Sequence, residues 1–222
     1  MQCLNKLFAG RPAAARVMPF VVFLVLTGCQ GKFGAASADW FYLAKTLIGA
    51  WLIGQMRPLV TEMRWAVSWE AVVVGVLIFV VWVGLDPWYP KLFSTGATGN
   101  PFTIFGAGSG WAWFFIAVHV LGMTLVVPPL EEVFYRSFLY RSLADADFLS
   151  VPLNRFRPIP FLVTTVIFGL AHNEWLAGML CGAAYQGLTL RKNRLGDAML
   201  AHAVTNFLLG VWIVWRGAWN FW

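Results

Sequence analysis

The sequence predicts an all-α fold, a polytopic transmembrane bundle of seven or eight helices. Three observations predict it. The 222 residues are 59% hydrophobic and 12% charged, with a mean hydropathy of +0.69, whereas soluble domains carry about 25% charged residues. The apolar residues come in long continuous runs rather than the alternating ten-residue segments of a membrane β-barrel. The 13 tryptophans suit the aromatic belts at membrane–water interfaces, because indole is amphipathic. A helical span needs ~20 residues, which leaves room for seven or eight. Cys3, Cys29 and Cys181 give neither metal spacing nor a disulfide framework. The net charge of +6 does not point to nucleic acid, since the basic residues sit at the ends of apolar runs.

Residues 1–16 form a basic leader with Lys6, Arg11 and Arg16, and 17–26 a short apolar run. The tetrapeptide Leu26-Thr27-Gly28-Cys29 resembles a bacterial lipoprotein cleavage box, and the order of basic, apolar and small residues also fits a signal peptide. Later spans already anchor the chain, so the expectation is a retained first helix with Cys29 unmodified. The second span is expected near 39–56, with Lys45 snorkelling or facing a neighbour. The third is expected near 66–84, with Glu70 in its first turn, where a carboxylate suits the helix N-terminus. Residues 85–109, rich in Gly, Pro, Ser and Thr and containing Asp86 and Lys91, read as one long loop. A fourth run covers 110–127. Pro128-Pro129 then opens either a new short helix over 130–143 or the continuation of a kinked long one. A polar loop at 144–158 precedes spans near 159–172, 175–190 and 197–215.

With a cytoplasmic N-terminus and seven crossings, twelve basic residues fall on the cytoplasmic side. These are Lys6, Arg11, Arg16, Arg57, Arg64, Arg136, Arg141, Arg155, Arg157, Arg191, Lys192 and Arg194. Only Lys32, Lys91 and Arg216 fall opposite. That is the bias of a multi-pass protein of a bacterial inner membrane.

The polar residues of the second half are the exceptions to its apolar composition. Glu131 and Glu132 are adjacent in the stretch PPLEEVFYR, and an acid at a helix centre costs roughly 2.5–3.5 kcal/mol to insert. Arg136 lies i+4 from Glu132 on one helix face, while Glu131 is turned about 100° away. One carboxylate is therefore tied and the other left open to chemistry. Phe168 and His172 close the fifth span, and His202 and Asn206 share a face early in the last. His119 has no polar companion in sequence and reads as a packing residue. Scattered independently these groups would be too costly, so they are expected to meet. Depth is the difficulty. His172 stands about 22 Å along its helix from Arg157, and His202 only about 8 Å along its own from Asp197, so a strongly tilted helix or a sunken loop is needed.

Glu131-Glu132-x-x-x-Arg136, Phe168-x-x-x-His172 and His202-x-x-x-Asn206 together resemble the three-motif signature of the type II CAAX prenyl endopeptidases and their relatives among bacteriocin-processing enzymes. The resemblance covers about 110–215, a catalytic membrane domain. Residues 1–109 would be N-terminal spans and loop, and 216–222 a short tail. Length and the aromatic-rich N-terminal half also resemble the small CAAX-protease-related proteins of exosortase systems. The resemblance implies an intramembrane endopeptidase acting on a membrane-anchored peptide or protein in the lipid bilayer. In it Glu131 would be the general base on a water. His172 would hold that water and pass a proton to the leaving amine, and Arg136 would fix Glu132. His202 and Asn206 would donate to the oxyanion. No cofactor is expected, because the His-Glu-x-x-His motif of zinc proteases is missing. The alternative is zinc on Glu131, His172 and His202. The rival functions are a non-catalytic immunity or partner-binding protein on the same scaffold and a transporter using the acid pair as a proton relay. The latter would favour inverted repeats, and the sequence has none.

Overall fold

Each apolar run becomes a helix, and among the described residues there are eight helices and no strand. The structure, a computed structural model, describes Phe8 and residues 10–93 and 99–222. Cys3 and Lys6 of the leader and residues 94–98 of the expected long loop lie outside the described residues. The helices are α1 (Pro12–Gly28), α2 (Ser37–Met56), α3 (Trp69–Leu85), α4 (Pro101–Phe105), α5 (Gly110–Ala144), α6 (Pro158–Leu170), α7 (Trp175–Lys192) and α8 (Gly196–Arg216). By length and composition three stretches can cross a membrane: Trp69–Trp88, Gly110–Ala144 and Gly196–Arg216. The apolar helices α1 and α6 are shorter.

Helix ends follow local chemistry. The Ser68 hydroxyl accepts the Ala71 N–H at 3.3 Å and caps α3, and Ser109 does the same for Trp111 on α5 at 3.2 Å. Pro158 occupies the first turn of α6, where a missing N–H costs nothing. Asn193 ends α7 in the left-handed conformation, φ 52° and ψ 32°, which asparagine tolerates. Its side chain also accepts the Asn154 N–H at 3.2 Å.

Pro128-Pro129 does not break the chain. α5 continues through it as one 35-residue stretch, so the kinked long helix is the alternative that forms. Two wide, π-type segments flank the prolines and the acid pair, Gly122–Val126 and Val133–Leu139. The prolines remove two i→i−4 donors. Bonds such as Val127 N–H to the Gly122 carbonyl re-pair the ladder with i→i+5 spacing.

Packing divides the chain into two compact units, Met1–Leu59 with Thr95–Leu130 and Asn206–Trp222, and Val60–Ser94 with Glu131–Thr205. In the first, α1 packs on α2, and α2 on the first part of α5. Glycines let the backbones approach. A Cβ on Gly49 would lie 2.6 Å from Val126 Cγ1, and one on Gly122 2.5 Å from Thr46 Oγ1. Lys45 faces a neighbour, one of its two expected placements. Its ammonium donates to Gln30 Oε1 at 2.9 Å and Thr27 Oγ1 at 3.2 Å, above the Tyr42 and Phe23 rings.

The second unit is centred on α6 against α7, with α3 on α7. A Cβ on Gly169 would lie 2.7 Å from the Trp175 carbonyl, and one on Gly182 3.2 Å from the Phe168 ring. On α3, Gly75 brings the backbone onto α8, where a Cβ would meet the Ala201 carbonyl at 2.6 Å. Ion pairs tie the ends of this unit. Glu70 holds Lys192 at 2.6 Å, and Asp197 holds Ser68 and Arg194. Buried Arg141 donates to the Val151 carbonyl at 2.8 Å and the Leu149 carbonyl at 3.0 Å, and it pairs with Glu62.

Candidate active site

Glu132 anchors the polar cluster of the second unit. It is fully buried, and α5 and α8 each supply it a partner. Arg136 Nε stands 3.0 Å from Oε2, and His202 Nδ1 donates to Oε1 at 2.9 Å. Arg136, buried itself, donates through Nη2 to the Gly182 carbonyl at 3.2 Å, and its guanidinium lies 4.4 Å from the centre of the Phe168 ring. An uncompensated buried charge costs several kcal/mol; here the two charges face each other and an imidazole N–H completes the carboxylate.

His202 is held as a plane. Its ring stacks on Tyr185 with centroids 5.1 Å apart. The Tyr185 hydroxyl donates to Thr205 Oγ1 at 2.7 Å, and Thr205 reaches the carbonyls of Gly75 at 2.9 Å and Ala201 at 3.1 Å. His202 therefore owes its orientation to α3, α7 and α8 together. Because Nδ1 faces the carboxylate, Nε2 is the nitrogen left for chemistry.

His172 lies just past the end of α6. Its Nδ1 donates to the Phe168 carbonyl at 2.7 Å, which leaves the Nε2 lone pair free in the neutral ring. Phe168 joins the two histidines. Its ring is 4.8 Å from that of His172 and 6.2 Å, edge-on, from that of His202. Phe168 is thus an aromatic neighbour that the two histidines share. Trp82 of α3 approaches His172 edge-on at 5.5 Å.

Glu131 stands in contrast to its neighbour. It is half-buried, and its Oε2 is buried without a hydrogen bond to any described residue. Asn206 belongs to the first unit, where its Nδ2 donates to the Met123 carbonyl at 2.7 Å; one amide N–H remains. Of the six residues singled out from sequence, Glu132, Arg136 and His202 are in direct contact, and His172 joins them through Phe168. The alternative zinc set fares differently. Among the described residues no group of three His, Cys, Asp or Glu side chains is placed to hold a metal ion, while Nε2 of both His172 and His202 is left free by their Nδ1 bonds.

Tyr185, Thr205 and Gly182 are the supporting residues that motif reasoning does not find. Their sequence signal is faint: a tyrosine following Gly182-Ala183-Ala184, and a threonine one turn from nothing charged. Gln186, one turn past Gly182, is buried with neither side-chain polar atom hydrogen-bonded to the described residues.

Comparison with known proteins gives one match. Residues 113–208 fit the family model of the type II CAAX prenyl endopeptidase Rce1-like proteins. No curated protein and no solved structure matches. All six candidate residues fall inside the matched segment, and residues 113–208 are similar to an Rce1-like type II CAAX prenyl endopeptidase domain.

Proposed function

We propose that this domain is an intramembrane endopeptidase that hydrolyses a peptide bond of a membrane-associated peptide or protein by an activated water. The observation that carries the proposal is the asymmetry of the acid pair. Glu132 faces Arg136 across an ion pair at 3.0 Å and accepts a hydrogen bond from His202, while Glu131 Oε2 is buried with neither an ion pair nor a hydrogen bond to any described residue. A carboxylate oxygen so placed is suited to take a proton from water.

In this reading Glu131 accepts the water proton as the oxygen attacks the scissile carbonyl. His172, its Nδ1 held by the Phe168 carbonyl, uses Nε2 to orient the water and to relay the proton to the leaving amine. His202 donates to the oxyanion; such a donor is worth roughly 3 kcal/mol in other enzymes. For His202 to donate from Nε2 while Nδ1 donates to Glu132, both ring nitrogens must carry protons. Arg136 is a positioning residue, since it touches Glu132 and not the reacting atoms. No step is assigned to a metal ion. Neither a cofactor nor a nucleic acid is required.

The test compares membrane peptides, by mass spectrometry, from cells carrying the wild type and Glu131→Gln. The amide is isosteric but cannot accept the water proton. Cleavage products should therefore fall by about 10²–10⁴-fold while the thermal midpoint of the purified variant stays unchanged. Undiminished products from a folded Glu131→Gln protein would overturn the mechanism.

A further inference from the structure

The first unit holds a second buried carboxylate that the Glu131 chemistry does not use. Asp39, in the first turn of α2, is only 5% exposed, and its Oδ2 makes no hydrogen bond to any described residue. It lines a pocket of about 720 Å³, a size that suits a small ligand. Lys32 lines the same pocket from the exposed loop between α1 and α2, and no ion pair joins it to Asp39 or to any other described residue. One wall is aromatic. The His119 ring lies between Tyr42, with centroids 3.7 Å apart, and Trp222, at 3.8 Å. The Tyr42 hydroxyl donates to the His119 carbonyl at 3.2 Å and fixes that wall. The pocket thus presents an acid and a base that are not neutralised by each other, one buried and one at the rim.

We infer that this pocket binds a zwitterion of the phosphoethanolamine class, with its primary ammonium on Asp39 and its phosphate toward Lys32. A buried carboxylate oxygen without a donor is costly, and a charge-assisted N–H from a ligand ammonium removes that cost. Opposite charges at the two ends of one pocket select a ligand carrying both. The surroundings favour the headgroup of a phospholipid as the source. Trp40, Trp111, Trp113 and Phe33 are about half or more exposed. They belong to the same unit, and Trp40 is adjacent to Asp39 in the chain and packs on Trp111. Exposed aromatic clusters of this kind lie at headgroup level in membrane proteins. The inference is independent of the reading of the Glu131 site.

The test uses the full-length protein, delipidated in detergent, with ligand retention measured by native mass spectrometry and thermal stabilisation. The probes are phosphatidylethanolamine, phosphatidylglycerol and phosphatidylcholine of matched acyl chains, and soluble phosphoethanolamine and phosphocholine. Phosphatidylethanolamine should be retained over the other two lipids by about tenfold or more, the scale of one charge-assisted hydrogen bond. Asp39→Asn should abolish that preference. Lys32→Gln, at an exposed position that does not threaten folding, should weaken retention by a smaller factor. Stabilisation by soluble phosphoethanolamine with no preference among lipids would uphold the site and assign it to a free zwitterion. Equal retention of all lipids with no effect of either soluble ligand would overturn the proposal, as would wild-type discrimination in a folded Asp39→Asn protein.

Discussion

Glu132 and Asp39 are both buried carboxylates in an apolar helical protein, yet their surroundings are opposite. Glu132 has a guanidinium and an imidazole on its two oxygens, and its partners are themselves held by Gly182, Phe168 and Tyr185. Asp39 lines a pocket, and its buried Oδ2 has no hydrogen bond to any described residue. The counter-charge beside the first makes it architecture; the second, like Glu131, has no ion pair among the described residues. Burial alone does not distinguish the two acids, whereas the charge that faces each carboxylate does.

Removing the partner of the paired acid should have the largest effect. Arg136→Ala leaves Glu132 buried beside a single imidazole donor and should destabilise the fold by ~3–5 kcal/mol. Denaturant unfolding in detergent measures this, and a loss under 1 kcal/mol would erase the contrast with Asp39. Tyr185→Phe removes the hydrogen bond to Thr205, whose hydroxyl keeps its backbone carbonyl partners, and the one with Cys181, and should cost about 1–2 kcal/mol.

Glu174 is an intermediate case, with one long hydrogen bond from Asn173 Nδ2 at 3.5 Å. Burial, and after it Asp86, pushes its carboxyl above the ordinary glutamate range, against a lowering by its own backbone amide, Lys91 and His172. The folded protein therefore keeps this proton at a pH where the unfolded chain has lost it. Stability falls as pH rises from the ordinary glutamate range through the raised value. Glu174→Gln should flatten that part of the stability–pH curve; an unchanged slope would show the group to be compensated. Asp39→Asn should have the smallest effect, a change of less than about 0.5 kcal/mol in ligand-free protein, because no partner is lost.

Most of the helix positions were legible in the sequence, because long apolar runs leave few alternatives in a chain of this composition. Glu132–Arg136 was legible too, since i, i+4 spacing is local. Glu70 was read as a carboxylate suited to a helix N-terminus, and it lies in the first turn of α3; Lys45 was read as snorkelling or facing a neighbour, and Gln30 and Thr27 are those neighbours. What could not be read were contacts whose partners lie far apart in sequence. Tyr185 reaching Thr205, His119 lying between Tyr42 and Trp222, and Gly182 offering its carbonyl to Arg136 leave no periodic trace. Asp39 escaped notice because a carboxylate in a first helical turn is ordinary. The prolines signalled a disturbance in α5, but whether it was a break or a widened turn depended on tertiary packing.

The widened turns of α5 also set the tolerance of this region to length changes. An i→i+5 turn accommodates one residue more than the surrounding α-helix needs, so Val133–Leu139 acts as a stored insertion placed between the acid pair and the rest of the domain. Deleting a single residue there would let the helix relax to regular α geometry with its backbone bonds intact. The lost widening would offset the lost residue, so the helix beyond Leu139 would keep its faces, but a deletion between Glu132 and Arg136 would shorten their spacing by one position, about 100° round the helix. The helix would survive such a deletion, but the register between Glu132 and the Arg136 guanidinium would not. Insertions and deletions in this stretch are therefore a more severe test of the site than most substitutions, although the segment looks from its composition like an ordinary apolar helix.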